Sequence, residues 1–124
     1  EYNKDLMNTF YNNLIKKNII SPENVLSKGP IKIMAVSSID EIYRHLDIFY
    51  YTSDVYPFAL LFTTGSKDLN TTMRSHALKM GYSLNERNLT HGSPGGSPVT
   101  DQEYLTVIGK QKPETEKDIF VKLI

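Results

Sequence analysis

Apolar residues in the first part of the chain recur at helical spacing. Leu6, Met7, Phe10, Leu14 and Ile15 fall on one face of a helix predicted over residues 2–17. Lys16 and Lys17 sit in its last turn, where the helix dipole favours cations, and Ser21-Pro22 breaks the run. The period then changes to two. Ile31, Ile33 and Ala35 alternate with Lys32, Met34 and Val36 over residues 31–37. Residues 44–51 alternate likewise, with Arg44, Leu46, Ile48 and Tyr50 set against His45, Asp47, Phe49 and Tyr51. The connection over 38–43 is short, which predicts an antiparallel pair.

Past residue 52 the pattern becomes mainly helical. Ser53 or Asp54 is placed to cap a short helix ending near Phe62. Thr64-Gly65 marks a turn, and Ser66 is placed to cap a second helix over 67–80. Its predicted apolar stripe is Leu69, Met73, Ala77 and Met80, and Gly81 is its stop. Residues 82–84 and 88–90 read as a small hairpin around Asn85-Glu86-Arg87. Residues 91–98, rich in Gly, Pro and Ser, read as a loop, and 104–108 as a return to strand. Thr115 with Asp118 resembles a capping arrangement for a last helix over 115–123, with Ile119, Phe120 and Leu123 on its apolar side. The expected class is α+β: a helix on antiparallel strands over 1–52, then a mainly helical unit with a small hairpin over 53–124.

Composition narrows the picture. Apolar residues make up 40% of 124 positions, which suits a packed fold rather than a disordered tail. The apolar runs are short, such as 58–62, and none approaches the roughly 20 residues of a membrane span. Nothing near the first residue resembles a signal or transit peptide. With no cysteine, disulfides and thiolate metal sites are excluded, and the three histidines have no ligand spacing. Basic and acidic residues balance at 14 each. Taken alone, that balance counts against nucleic-acid binding.

Three constellations carry candidate chemistry. In Leu-Leu-Phe-Thr-Thr-Gly-Ser (60–66), Gly65 lets backbone approach a planar ligand. Asn70 and Arg74 follow at i and i+4, on one helix face, expected opposite Leu69 and Met73. Such a pair can donate to the minor-groove edge of a base pair; it is equally the polar face of an ordinary capped surface helix. Asp47 lies within Arg44-His45-Leu46-Asp47-Ile48 on the second strand. It is a candidate magnesium ligand, or a solvent-facing carboxylate paired with Arg44 or Lys32. Lys28 and Lys32, flanking Gly29, are candidate phosphate contacts or solvated surface.

Together these segments resemble family X DNA polymerases, the class containing DNA polymerase beta. The Thr-Gly-Ser turn with Asn70 and Arg74, the Leu-Ser-Lys-Gly segment at 26–29, the 44–48 strand, Gly-Tyr-Ser-Leu-Asn-Glu-Arg-Asn-Leu at 81–89 and the last helix all take part. The resemblance implies the end of a palm followed by a thumb. Asp47 would be the third metal carboxylate of a two-magnesium site. Phe62, Thr63, Thr64 and Gly65 would line the pocket of the incoming dNTP, Asn70 would reach the minor-groove edge of its base, and Arg74 would contact the template strand. Lys28, Lys32 and Arg44 would hold DNA, and Asn85 and Glu86 would sit near closed-state contacts.

The chain departs from the family at several positions. His45 replaces a second Arg, Phe62 replaces a Tyr, Thr63 replaces an aromatic residue, and Lys67 stands where some members have Asp. No Gly-Ser turn with Asp-X-Asp precedes Asp47, so the chain reads as a piece of a longer polymerase that is inactive alone. The parent would fill short gaps in primer-template DNA during repair, in the nucleus or, for a viral enzyme, in the particle or infected-cell cytoplasm. The alternatives are a non-catalytic module for nicked or gapped DNA and an unrelated scaffold for protein partners.

Overall fold

The computed structural model describes residues 2–123. The chain forms two compact units, Glu1–Tyr51 and Thr52–Ile124.

In the first unit, helix α1 (Leu6–Lys16) packs on a three-stranded antiparallel sheet of β1 (Val25–Lys28), β2 (Lys32–Ile39) and β3 (Ile42–Phe49), in that order. The helix starts later than its periodicity predicts. The backbone N–H of Asn3 donates to the Tyr50 hydroxyl at 2.8 Å, and the Asn3 side chain accepts from Asp5 N–H at 3.0 Å, which ties the preceding residues into a turn. Its buried face is also rotated from the expected one. Met7 and Leu14 are buried with Tyr11 and Ile15 against them, whereas Leu6 and Phe10 are exposed.

Ile33 and Ala35 of β2 are fully buried, and the register sets them beside Ile48 and Leu46 of β3. One face of the sheet thus turns its aliphatic residues to α1. Ile31 lies outside β2 and is exposed, contrary to the alternation. The β2–β3 connection is tighter than predicted. Ile39 pairs with Ile42, and only Asp40 and Glu41 intervene, at φ 53° and 62°. Two left-handed residues give a hairpin turn whose twist matches the strands. The Leu-Ser-Lys-Gly segment is mostly strand. Leu26, Ser27 and Lys28 belong to edge strand β1, with a bulge between Val25 and Ser27.

The second unit holds α2 (Tyr56–Thr64), α3 (Lys67–Lys79), the hairpin β4 (Tyr82–Leu84) and β5 (Leu89–His91), α4 (Asp101–Ile108) and α5 (Glu116–Lys122). Neither Ser53 nor Asp54 caps α2; Val55 holds that position, and Pro57 occupies the first turn, where its missing N–H costs nothing. Ser66 does cap α3, accepting from Leu69 N–H at 3.2 Å. Only Met73 and Ala77 of the predicted α3 stripe are buried, while Leu69 and Met80 are exposed. Residues 104–108 are helix, not strand. Thr100 and Glu103 form a capping box: the Thr100 hydroxyl accepts from Glu103 N–H at 3.3 Å and the Glu103 carboxylate from Thr100 N–H at 2.7 Å. That box nucleates α4 and turns Tyr104 into the core with Phe58, Leu61, Leu89 and Ile119. A second box, Thr115 with Asp118, opens α5. Phe120, expected on its apolar side, is exposed. Lys122 is buried instead, donating to the Tyr82 hydroxyl at 2.8 Å.

The Asp118 carboxylate accepts from Glu114 N–H at 2.9 Å, Lys110 Nζ at 3.0 Å and Thr115 N–H at 3.2 Å. The Glu114 N–H above all, then Lys110, hold its pKa below the ordinary carboxylate value. A depressed folded pKa means that the unfolded chain binds the proton more readily. The stabilisation is therefore complete above the unfolded value and lost as pH falls through the folded one. Asp118→Asn is expected to lower the melting temperature at pH 7, with the deficit against wild type closing below about pH 4. Thermal melts across pH measure this directly. Thr100→Ala, which removes the α4 cap, is expected to cost about 1 kcal/mol in denaturant unfolding.

Candidate functional site: the α2–α3 cleft

Residues 62–66 carry the chain from α2 into α3. Gly65 sits at φ 70°, in the left-handed region that lets the backbone reverse, and the Gly65–Ser66 peptide is cis. A Cβ at Gly65 would lie 3.3 Å from Lys67 N, so a side chain would crowd the start of α3 as well as strain the backbone. Across this turn Asn70 reaches back, its Nδ2 donating to the Phe62 carbonyl at 2.9 Å. That bond satisfies one of the carbonyls left open at the end of α2. One turn further, the Arg74 guanidinium lies 5.1 Å from the centre of the Phe62 ring, in cation–π range.

The turn and the α3 face border a shallow, solvent-open cleft of about 490 Å³. Phe62, Thr63, Thr64 and Gly65 line one side, and Lys67, Asn70, Thr71 and Arg74 the other. The Thr63 hydroxyl donates to Ala59 O at 2.8 Å, so its proton is already engaged within α2. Beneath Phe62, Asn70 and Arg74 a crevice reaches Phe58, Leu61, Met73 and Leu84 but holds only about 10 Å³, room for one water at most. The larger space is the cleft above it. Asn70 and Arg74 are not opposite Met73, as the spacing predicted: all three border the same crevice, because positions 70, 73 and 74 are i, i+3 and i+4.

The other expected residues of this unit are placed differently. The Asn85 side chain accepts from Arg87 N–H at 2.8 Å and Asn88 N–H at 2.9 Å, and donates to Asn88 Oδ1 at 2.9 Å. It shapes the β4–β5 turn while also bordering the crevice beside Arg74. Glu86 is half-buried in that turn.

In the first unit, Asp47 sits mid-strand in β3 opposite Met34, on the face away from α1. Its Oδ1 lies 3.2 Å from His45 Nδ1. The neighbouring basic group is therefore His45, not Arg44 or Lys32. Lys32 Nζ lies 5.3 Å from the Phe49 ring centre, on the Asp47 face. Lys28 instead donates to Asn8 of α1 at 3.1 Å, on the opposite side of the sheet. Lys28 and Lys32, grouped by sequence, are thus separated by the pleat. Arg44 is exposed near the hairpin end. No cluster of three or more His, Cys, Asp or Glu residues occurs among the described residues.

The family model described as the DNA polymerase beta thumb matches residues 59–123, more than half of the chain. The chain belongs to that family. The match begins within α2 and takes in the cleft, the hairpin and both capping-box helices of the thumb. DNA binding as part of a polymerase is what a thumb of this family contributes. No helix among the described residues is long and apolar enough to cross a membrane.

Two residues lining the thumb cleft, Lys67 and Thr71, were not among the expected site residues, although Lys67 stood out as a departure from the family. With Asn70 and Arg74 they form a polar i, i+3, i+4, i+7 row, a signal readable from spacing alone. Also outside the expected set is His91, whose Nε2 lies 2.8 Å from Glu103 and ties β5 to the α4 cap. Asn70→Ala is expected to lower thumb stability by about 0.5–1.5 kcal/mol, read by urea unfolding, because it frees the Phe62 carbonyl.

Proposed function

We propose that the thumb cleft receives the incoming dNTP of a DNA-directed polymerase that fills short gaps in repair. The observation that carries this reading is the Asn70–Phe62 bond. It places an aromatic ring, a glycine-bearing turn and two polar side chains around one space, and it orients the Asn70 amide. One Nδ2 hydrogen is used on Phe62, and the other is available to an acceptor. The minor-groove edge of every base pair offers such an acceptor at purine N3 or pyrimidine O2. Phe62 and the backbone at Thr64 and Gly65 then border the sugar and base. Arg74 reaches the template strand, leaving or keeping its place on Phe62.

In the same reading Asp47 serves the chemistry. Its carboxylate is 37% exposed and lies on an outward strand face, and it offers the hard oxygen donor that magnesium takes. One carboxylate fits one share of such a site. Bound magnesium would supply charge stabilisation at the phosphates and acidify the primer 3′-hydroxyl. Lys28, Lys32 and Arg44 are proposed phosphate contacts, and Asn85 and Glu86 are proposed to lie near the closed-state duplex. A gap-filling role would be exercised in the nucleus or, for a viral enzyme, in the infected cell.

Primer extension tests this. The isolated chain is expected to incorporate no nucleotide, and incorporation by it would contradict a shared metal site. In a polymerase carrying this segment, Asn70→Ala is expected to reduce kcat/KM for the correct dNTP by about 10- to 100-fold, the worth of one good base-edge contact. Asp47→Asn should abolish incorporation while leaving binding of gapped DNA intact. An Asn70→Ala enzyme with unchanged efficiency would remove the minor-groove role.

A further inference from the structure

Lys67 has no part in the roles assigned so far. It occupies the first position of α3 and is exposed. A cation there faces the positive end of the helix dipole, a placement that costs helix stability. Among the described residues no carboxylate lies within ion-pair distance of it. The cleft it lines holds two cationic side chains, Lys67 and Arg74, and no Asp or Glu. Over the whole chain, by contrast, the charges cancel. Lys67, Asn70, Thr71 and Arg74 follow one helix face, with the two cations two turns apart, about 10 Å along the axis. Two cations lining a cleft that holds no carboxylate, beside an aromatic ring, suit an anionic ligand that also carries a planar group.

We propose that Lys67 is a phosphate-binding residue of this cleft, acting with Arg74 from the other end of the row. The proposal rests on the cleft being the nucleotide site. The phosphate belongs to the DNA strand or to the incoming triphosphate, and two measurements separate these. In the first, the 124-residue chain is titrated with a fluorescent one-nucleotide-gapped duplex over a salt series. In the second, a fluorescent dNTP is titrated into the preformed complex. The variants are Lys67→Gln, Lys67→Arg, Arg74→Ala and, as a control outside the cleft, Lys79→Gln; thermal melts verify that each is folded.

If Lys67 holds a DNA phosphate, Lys67→Gln reduces the slope of log affinity against log salt by about 0.9, and Lys67→Arg preserves it. If it holds the triphosphate, that slope is unchanged and dNTP affinity falls about tenfold. Should Lys67→Gln match Lys79→Gln in both measurements while Arg74→Ala weakens binding, the Lys67 role is wrong and the cleft reading stands. Should Arg74→Ala also change nothing, the cleft reading fails and the Lys67 role with it.

Discussion

The amide of Asn70 donates to the carbonyl of Phe62 across a turn of only two residues between α2 and α3, and the cleft depends on that closure. Two helices joined by so short a connection have few ways to sit against each other. Gly65 supplies the positive φ, Ser66 terminates the reversal by capping α3, and Asn70 fixes the last turn of one helix to the first turn of the next. Ser66 and Asn70 each commit a polar side chain to that geometry. The remaining side chains, Phe62, Arg74, Thr71 and Lys67, are left facing one space.

The thumb and the strand unit hold their candidate site residues differently. In the thumb, the cleft residues are braced: Asn70 by a carbonyl, Arg74 by an aromatic face, Thr63 by its own helix. In the strand unit, Asp47 stands on the outward face of β3 with His45 as its neighbour. Alternation alone sends Asp47 outward, since Leu46 and Ile48 must cover Ile33 and Ala35. The packing of the sheet thus determines where the carboxylate points, whatever it later binds. A neutral net charge does not preclude a locally cationic surface: Lys67 and Arg74 line the cleft and no carboxylate does.

Much of the fold could be read from the residues because local chemistry and tertiary packing agree there. Alternation in 31–37 and 44–51, the Ser66 cap and the Asn85 turn each have one dominant local solution. The errors arose where periodicity competed with a second signal. Residues 104–108 alternate weakly, yet the Thr100–Glu103 box had already fixed a helix start. Leu6 and Phe10 share helical spacing with Met7 and Leu14, but a helix on a sheet buries one narrow stripe. Lys122 is buried because its stem is apolar and Tyr82 receives its ammonium, a pairing 40 residues apart in sequence that no local pattern reveals. Asn70 and Arg74 were visible as a pair; the Phe62 ring and carbonyl that position them were not, since that contact crosses a turn.

The proposed meeting of a nucleotide and its template with the thumb in the α2–α3 cleft is open to direct observation. Its most direct test is an NMR titration of the 124-residue chain with one-nucleotide-gapped DNA and the complementary dNTP. The Asn70 side-chain amide and the backbone amides of 62–66 are expected to shift together and saturably, with the amides of 92–98 unmoved. Saturable binding that shifts other residues while leaving Asn70 and 62–66 unperturbed would contradict it.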